Sequence, residues 1–192
     1  MAFFEDLPVG KLTVTGGGSI GTLPTVTGLT VSHKQVGPLV HSTFTLAGVP
    51  QTVVNGTEYQ GTKLFTFPEG RISVLGVTAT LAQTTTSALA STLNASSTGA
   101  VALGSVTASN VSLTSTMVDF APSTAFTSSA TINVAGTAVK PVLAAPAHFD
   151  GSSTPIAFFL NSAFATTTDV DADATQTWAG TIAVTWILVG DF

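Results

Sequence analysis

The chain contains no cysteine, which excludes disulfide staples and zinc–thiolate centres. Charge is nearly as scarce. Only 8% of the 192 residues are charged, against roughly 25% in an average soluble domain. The five cations, Lys11, Lys34, Lys63, Arg71 and Lys140, are dispersed, and the net charge is −5. Nucleic-acid binding needs clustered Lys and Arg to displace counterions, so nucleic acid is not an expected partner. Long apolar runs are missing too. No window reaches about 18 uninterrupted apolar residues, and no membrane span is expected. The opening MAFFEDLPVGKLTV has neither a basic region nor a long apolar core, and it does not read as a signal peptide. No GxSxG, HExxH, P-loop or GxGxxG pattern occurs. The glycine-rich GGGSIG at 16–21 lacks the Lys-Ser/Thr that would complete a phosphate loop, and reads as a flexible elbow.

What the chain has in quantity is small hydroxyls, with 34 Thr and 18 Ser. Thr is β-branched and favours strands, whereas the residues that usually cover helix surfaces are nearly absent. The composition predicts an all-β protein of one domain, 11–192, preceded by an arm at 1–10. Ten to twelve short strands, with turn signals at regular spacing and no βαβ alternation, predict a jelly-roll-like antiparallel two-sheet sandwich. An immunoglobulin-like sandwich is the alternative.

Individual segments sharpen this. KLTVT (11–15) and TVTGLTVS (25–32) read as strands, the second with a bulge at Gly28. In PLVHSTFTLAG (38–48), Leu39, His41, Thr43 and Thr45 share one face, and Val40, Phe44 and Leu46 the other. Asn55-Gly56 is a type I′ hairpin signal. TKLFTF and RISVLGVTATL, joined by Pro68-Glu69-Gly70, read as a second hairpin with Lys63 and Arg71 at its outer ends. The stretch 84–99 is the one candidate helix. The segments 99–108, 110–120, 129–136 and 137–145 read as strands, 147–151 as loop, and 154–165 as a buried apolar run. In TWAGTIAVTWILVGDF (177–192), Ile182, Val184, Trp186 and Leu188 share one face, and Ala183, Thr185, Ile187 and Val189 the other. Both faces are largely apolar, so the strand is central in its sheet or meets a neighbouring subunit.

Candidate chemistry is thin. His33, His41 and His148 are dispersed, and Asp119 and Asp150 form a carboxylate pair only if folding joins them. Asp169, Asp171 and Asp173 alternate as in the first half of a calcium loop, but Ala174 stands where an EF-hand has Gly, and Gly180 where it has Glu. The triplet reads as a solvated acidic loop. No catalytic residue, cofactor or essential metal is expected. The candidate contact residues are Phe3, Phe4 and Leu7 on the arm, Lys63 and Arg71 as a polar rim, and Ile187 and Val189 on the last strand.

The short arm, the Thr/Ser/Ala-rich body without cysteine, the segment LFTFPEGRISVLGV and the closing GTIAVTWILVGDF together resemble the decoration, or cement, proteins of tailed-bacteriophage heads. The resemblance is one of overall style. It implies a structural protein, not an enzyme, that sits on the virion exterior as a homotrimer. It also implies the major capsid protein as partner. Two other readings stand beside it. A fibre or receptor-binding module would use Tyr59 or Trp178 in a sugar site. A cupin-type enzyme would need clustered His and Glu, which the spacing does not offer.

Overall fold

A computed structural model of the protein describes residues 20–85, 98–127, 138–165 and 173–190. The arm with Phe3, Phe4 and Leu7 lies outside these residues, as do the segments 11–15 and 129–136, most of the candidate helix, and Asp169 and Asp171.

Among the described residues nine strands are formed: β1 (Leu29–Val36), β2 (Leu39–Val53), β3 (Tyr59–Thr66), β4 (Gly70–Thr85), β5 (Thr98–Gly104), β6 (Ala121–Thr127), β7 (Ala147–Gly151), β8 (Ala157–Phe164) and β9 (Ala174–Gly190). Alternation of apolar and hydroxyl side chains gives most of them one inward and one outward face. Two antiparallel sheets result, in the orders β1-β2-β9-β4-β7 and β3-β8-β5-β6. With β1 set aside, strands pair as β2·β9, β3·β8, β4·β7 and β5·β6. The chain is one nested hairpin with β5 and β6 at its tip, rolled up so that its arms alternate between sheets. This is the jelly-roll order, and it displaces the immunoglobulin-like alternative.

The nesting corrects both hairpin expectations. Thr57 N–H donates to Val54 O at 2.8 Å across Asn55-Gly56, but pairing stops at that single bridge, and β2 and β3 enter different sheets. Gly56 has φ +73° while Asn55 keeps a negative φ, so the turn is not type I′. Pro68-Glu69-Gly70 is likewise a corner between sheets, leaving Lys63 on β3 and Arg71 on β4. Gly28 sits in the turn before β1, not in a bulge. The segment 147–151, read as loop, is β7, whose five residues pair along β4. The expected strand at 110–120 is irregular, with a short 3-10 turn at Ser115–Met117, and β6 was not anticipated. Of 137–145, only the bridges Val139 to Leu81 and Val142 to Thr78 are made.

The inner faces enclose an aromatic core. Phe67 meets Trp186 edge-on at 5.2 Å, and Phe120 stacks on Phe149 at 4.4 Å. Phe126 meets Trp178 edge-on at 5.2 Å. Both Trp residues are fully buried, which removes Trp178 as an exposed sugar platform. The strand β9 lies between β2 and β4, the central position that its two apolar faces predicted. Its Gly180 has φ +136°, and a Cβ there would lie 2.0 Å from Thr80 O.

The outer face of the four-stranded sheet is covered by its own chain. Buried Asn161 on β8 accepts from Ala108 N–H and donates to Val106 O and Met117 O, each at 2.9 Å. These bonds hold the stretch from Val106 to Met117 across the sheet, where Leu113 and Met117 pack with Ala102, Ala108 and Ala163.

Candidate functional site: an uncovered sheet face

Among the described residues, the five-stranded sheet has no such cover over its outer face. Register places Val36, Leu39, Ile187, Ser73 and His148 opposite one another on β1, β2, β9, β4 and β7. Directly paired residues point to the same side, so this is one outward row across the whole sheet. Its first part is apolar. Val36 is 66% exposed and Leu39 36%, with Ile187 half-buried between Leu39 and Ser73. Val189 is the extra residue of an irregularity between Leu188 and Gly190, and it adds a half-exposed side chain next to the row. A second irregularity, between Val74 and Gly76, leaves Leu75 exposed as well.

Polar groups flank the row. On one side Lys34, His41 and Thr185 form the neighbouring outward register, with His41 Nδ1 3.0 Å from Thr185 Oγ1. On the other side Arg71 and Asp150 are directly paired across β4 and β7, with Arg71 Nε 3.5 Å from Asp150 Oδ2. Both side chains are more than half exposed, so this ion pair orders the surface and adds little stability. Asp150 Oδ1 also accepts from Ser152 Oγ at 2.5 Å and Ser152 N–H at 3.1 Å. These bonds, with a smaller contribution from Arg71, hold its carboxyl below the usual range. Arg71, Ser73, His148, Phe149, Asp150 and Val189 line a shallow groove of about 410 Å³.

The groove contains a Ser–His contact, with Ser73 Oγ 2.6 Å from His148 Nδ1. A nucleophile–base pair also needs a third group to orient the imidazole. Asp150 is occupied by Ser152 and Arg71, and Ser73 itself is buried. The pair closes the β4–β7 end of the row. Asp119 and Asp150 are not brought together as an acid–base pair. Asp119 accepts from Ser105 N–H at 2.7 Å and from Ser105 Oγ at 2.6 Å, and burial pushes its carboxyl up. Asp173 accepts from Asn55 N–H at 2.8 Å, capping the β2–β3 turn. Among the described residues, no three His, Asp or Glu side chains gather as a metal would need.

Of the sequence-predicted contact residues, the fold brings Arg71, Ile187 and Val189 to this face and leaves Lys63 exposed on the opposite sheet. Sequence reasoning missed Val36 and Leu39, which complete the row. Their signal was two apolar residues flanking Gly37-Pro38, at positions where alternation points away from Val40 and Phe44.

No family model matches the chain, and neither does any curated protein or solved structure.

Proposed function

We propose that the protein is a structural subunit without enzymatic activity. In this reading it decorates the exterior of a tailed-phage capsid and grips the major capsid protein through the outer face of its five-stranded sheet. The observation that carries this reading is the exposed row Val36, Leu39 and Ile187, with Val189 beside it and a rim of Lys34, His41, Arg71 and Asp150. An apolar centre with a polar rim is the general anatomy of a protein–protein contact. A chain with 8% charged residues repels neighbours weakly, which suits a subunit packed in an assembly. The homotrimer belongs to the same proposal, with the row free to contact the shell.

The test is gold labelling of purified virions with antibody against this chain, followed by electron microscopy. Label spread over the head supports the proposal. Label confined to the tail or fibres, or absent from the particle, refutes it.

A further inference from the structure

One end of the sandwich interior is polar. Gln51 on β2 and Gln176 on β9 are register partners in the five-stranded sheet, and Gln60 on β3 and Ser162 on β8 are partners in the other. All four are buried and meet between the sheets. Gln51 Oε1 accepts from Ser162 Oγ at 2.7 Å, Trp178 Nε1 at 2.8 Å and Gln176 Nε2 at 3.0 Å. Ser162 Oγ accepts in turn from Gln176 Nε2 at 2.7 Å and Gln60 Nε2 at 2.8 Å. Gln51 Nε2 donates to Leu160 O at 2.8 Å, tying one sheet to the other.

This network leaves three oxygens over. Gln60 Oε1, Gln176 Oε1 and Glu58 Oε1 are buried and have no hydrogen-bond partner. Glu58 stands two residues before Gln60, while Tyr59 between them packs on the opposite, outer side with Ala163, so Glu58 and Gln60 face the interior together. Turning over the Gln176 amide provides no remedy. Its nitrogen already serves Gln51 Oε1 and Ser162 Oγ, and an oxygen in its place would confront the acceptor Gln51 Oε1 and compete with it for the one Ser162 proton. A buried acceptor without a partner is costly, and a carboxylate more so, so three at the same end of the sandwich call for a species that supplies only positive charge or donors.

We infer that this end of the sandwich binds a hard cation of the calcium class, with Glu58, Gln60 and Gln176 as oxygen ligands. Calcium takes carboxylate and amide oxygens and completes its shell with water. The next inward residue of β9 beyond Gln176 is Ala174, whose methyl group takes little of the interior. With one carboxylate in the set, affinity is expected at the weak end of calcium sites, roughly 10⁻⁴–10⁻³ M.

Terbium, a luminescent calcium substitute, tests this, because Trp178 shares the network and can excite it. Tryptophan-sensitised emission should saturate on titration, be displaced by calcium, disappear in Glu58→Gln and persist in Asp173→Asn. Independently of any variant, calcium at a hundredfold excess over its Kd should raise the folded-to-unfolded ratio of the wild-type protein about a hundredfold. Emission that survives Glu58→Gln but is lost in Asp173→Asn assigns the ion to the acidic loop and overturns the inference. So does a wild-type protein that neither sensitises terbium nor responds to calcium in unfolding.

Discussion

Acidification should destabilise this protein through a single buried imidazole. His33 on β1 faces inward, packed at 5.4 Å from the Phe65 ring. Its Nδ1 lies 2.7 Å from Ser42 Oγ, and Ser42 Oγ accepts from Trp186 Nε1 at 2.9 Å. With the indole as one donor, the Ser42 hydroxyl keeps a proton that it can give to His33, and we assign Nδ1 as the unprotonated acceptor of that bond. Protonating Nδ1 turns it into a donor and takes away the acceptor of this bond. Burial pushes the His33 pKa down to about 4, from an ordinary value near 6.5. The sign follows from linkage. The unfolded chain takes up the proton as pH falls through about 6.5, and the folded chain only near 4, so stability is complete at neutral pH and lost between those values. The whole shift corresponds to about 3 kcal/mol, of which about 2 kcal/mol is lost between pH 7 and pH 5. Urea unfolding at pH 7, 6 and 5 measures this in the wild type and in His33→Gln, whose amide oxygen can still accept from Ser42. Asp119, held above the usual range by burial, works in the opposite direction but is common to both proteins and cancels in the difference. A wild type that loses no more stability than His33→Gln over this range would refute the assigned tautomer and the burial argument with it.

Three further outcomes are expected. Asn161→Ala removes three bonds to the stretch over the four-stranded sheet and strands Ala108 N–H, Val106 O and Met117 O; a loss of about 3 kcal/mol is expected in denaturant unfolding. Gly180→Ala places a Cβ against Thr80 O at a φ of +136°, in the strand that joins β2 to β4, and soluble expression should fall sharply relative to wild type. Leu39→Lys with Val189→Lys, both at exposed positions, should shift stability by about 0.5 kcal/mol or less each; under the proposed function, the pair should abolish binding in a capsid co-sedimentation assay.

The sandwich was legible because period-two alternation is written plainly into strands such as β2, where Val40, Phe44, Leu46, Val49 and Val53 are buried and only Ser42 and Gln51 are polar inward exceptions. The strand β9 announced its central place through apolar residues on both faces. The partners of each strand were not legible. Pro68-Glu69-Gly70 and Asn55-Gly56 look alike whether they close a hairpin or turn a corner between sheets, and only the packing of both inner faces decides. The short strand β7 was hidden because His148 and Asp150 face solvent at an edge, leaving Phe149 as its one large inward residue. Ile187 and Val189 were readable as surface candidates from one strand, but the row needed register, which joins them to residues far away in sequence. The interior polar network left a faint trace. The chain has only five glutamines, Gln35, Gln51, Gln60, Gln83 and Gln176, and each lies within a strand where turn or surface positions would be ordinary.

The nested pairing also sets the order in which this protein can be made. The tip, β5 with β6, closes from nearby residues, whereas Leu39 must wait for Ile187 and Val53 for Ala174. Because β9 lies between β2 and β4, the larger sheet has no middle until the last described strand has emerged from the ribosome. Until then β2 and β4 present unpaired edges, in a chain with little charge to keep them from other chains. Closure across such sequence distances is slow, on the order of milliseconds to seconds for β topologies of this kind. The growing chain is therefore most exposed to misassembly until β9 has been made, and conditions that slow translation through β9 should lower its yield more than conditions that slow translation through β1.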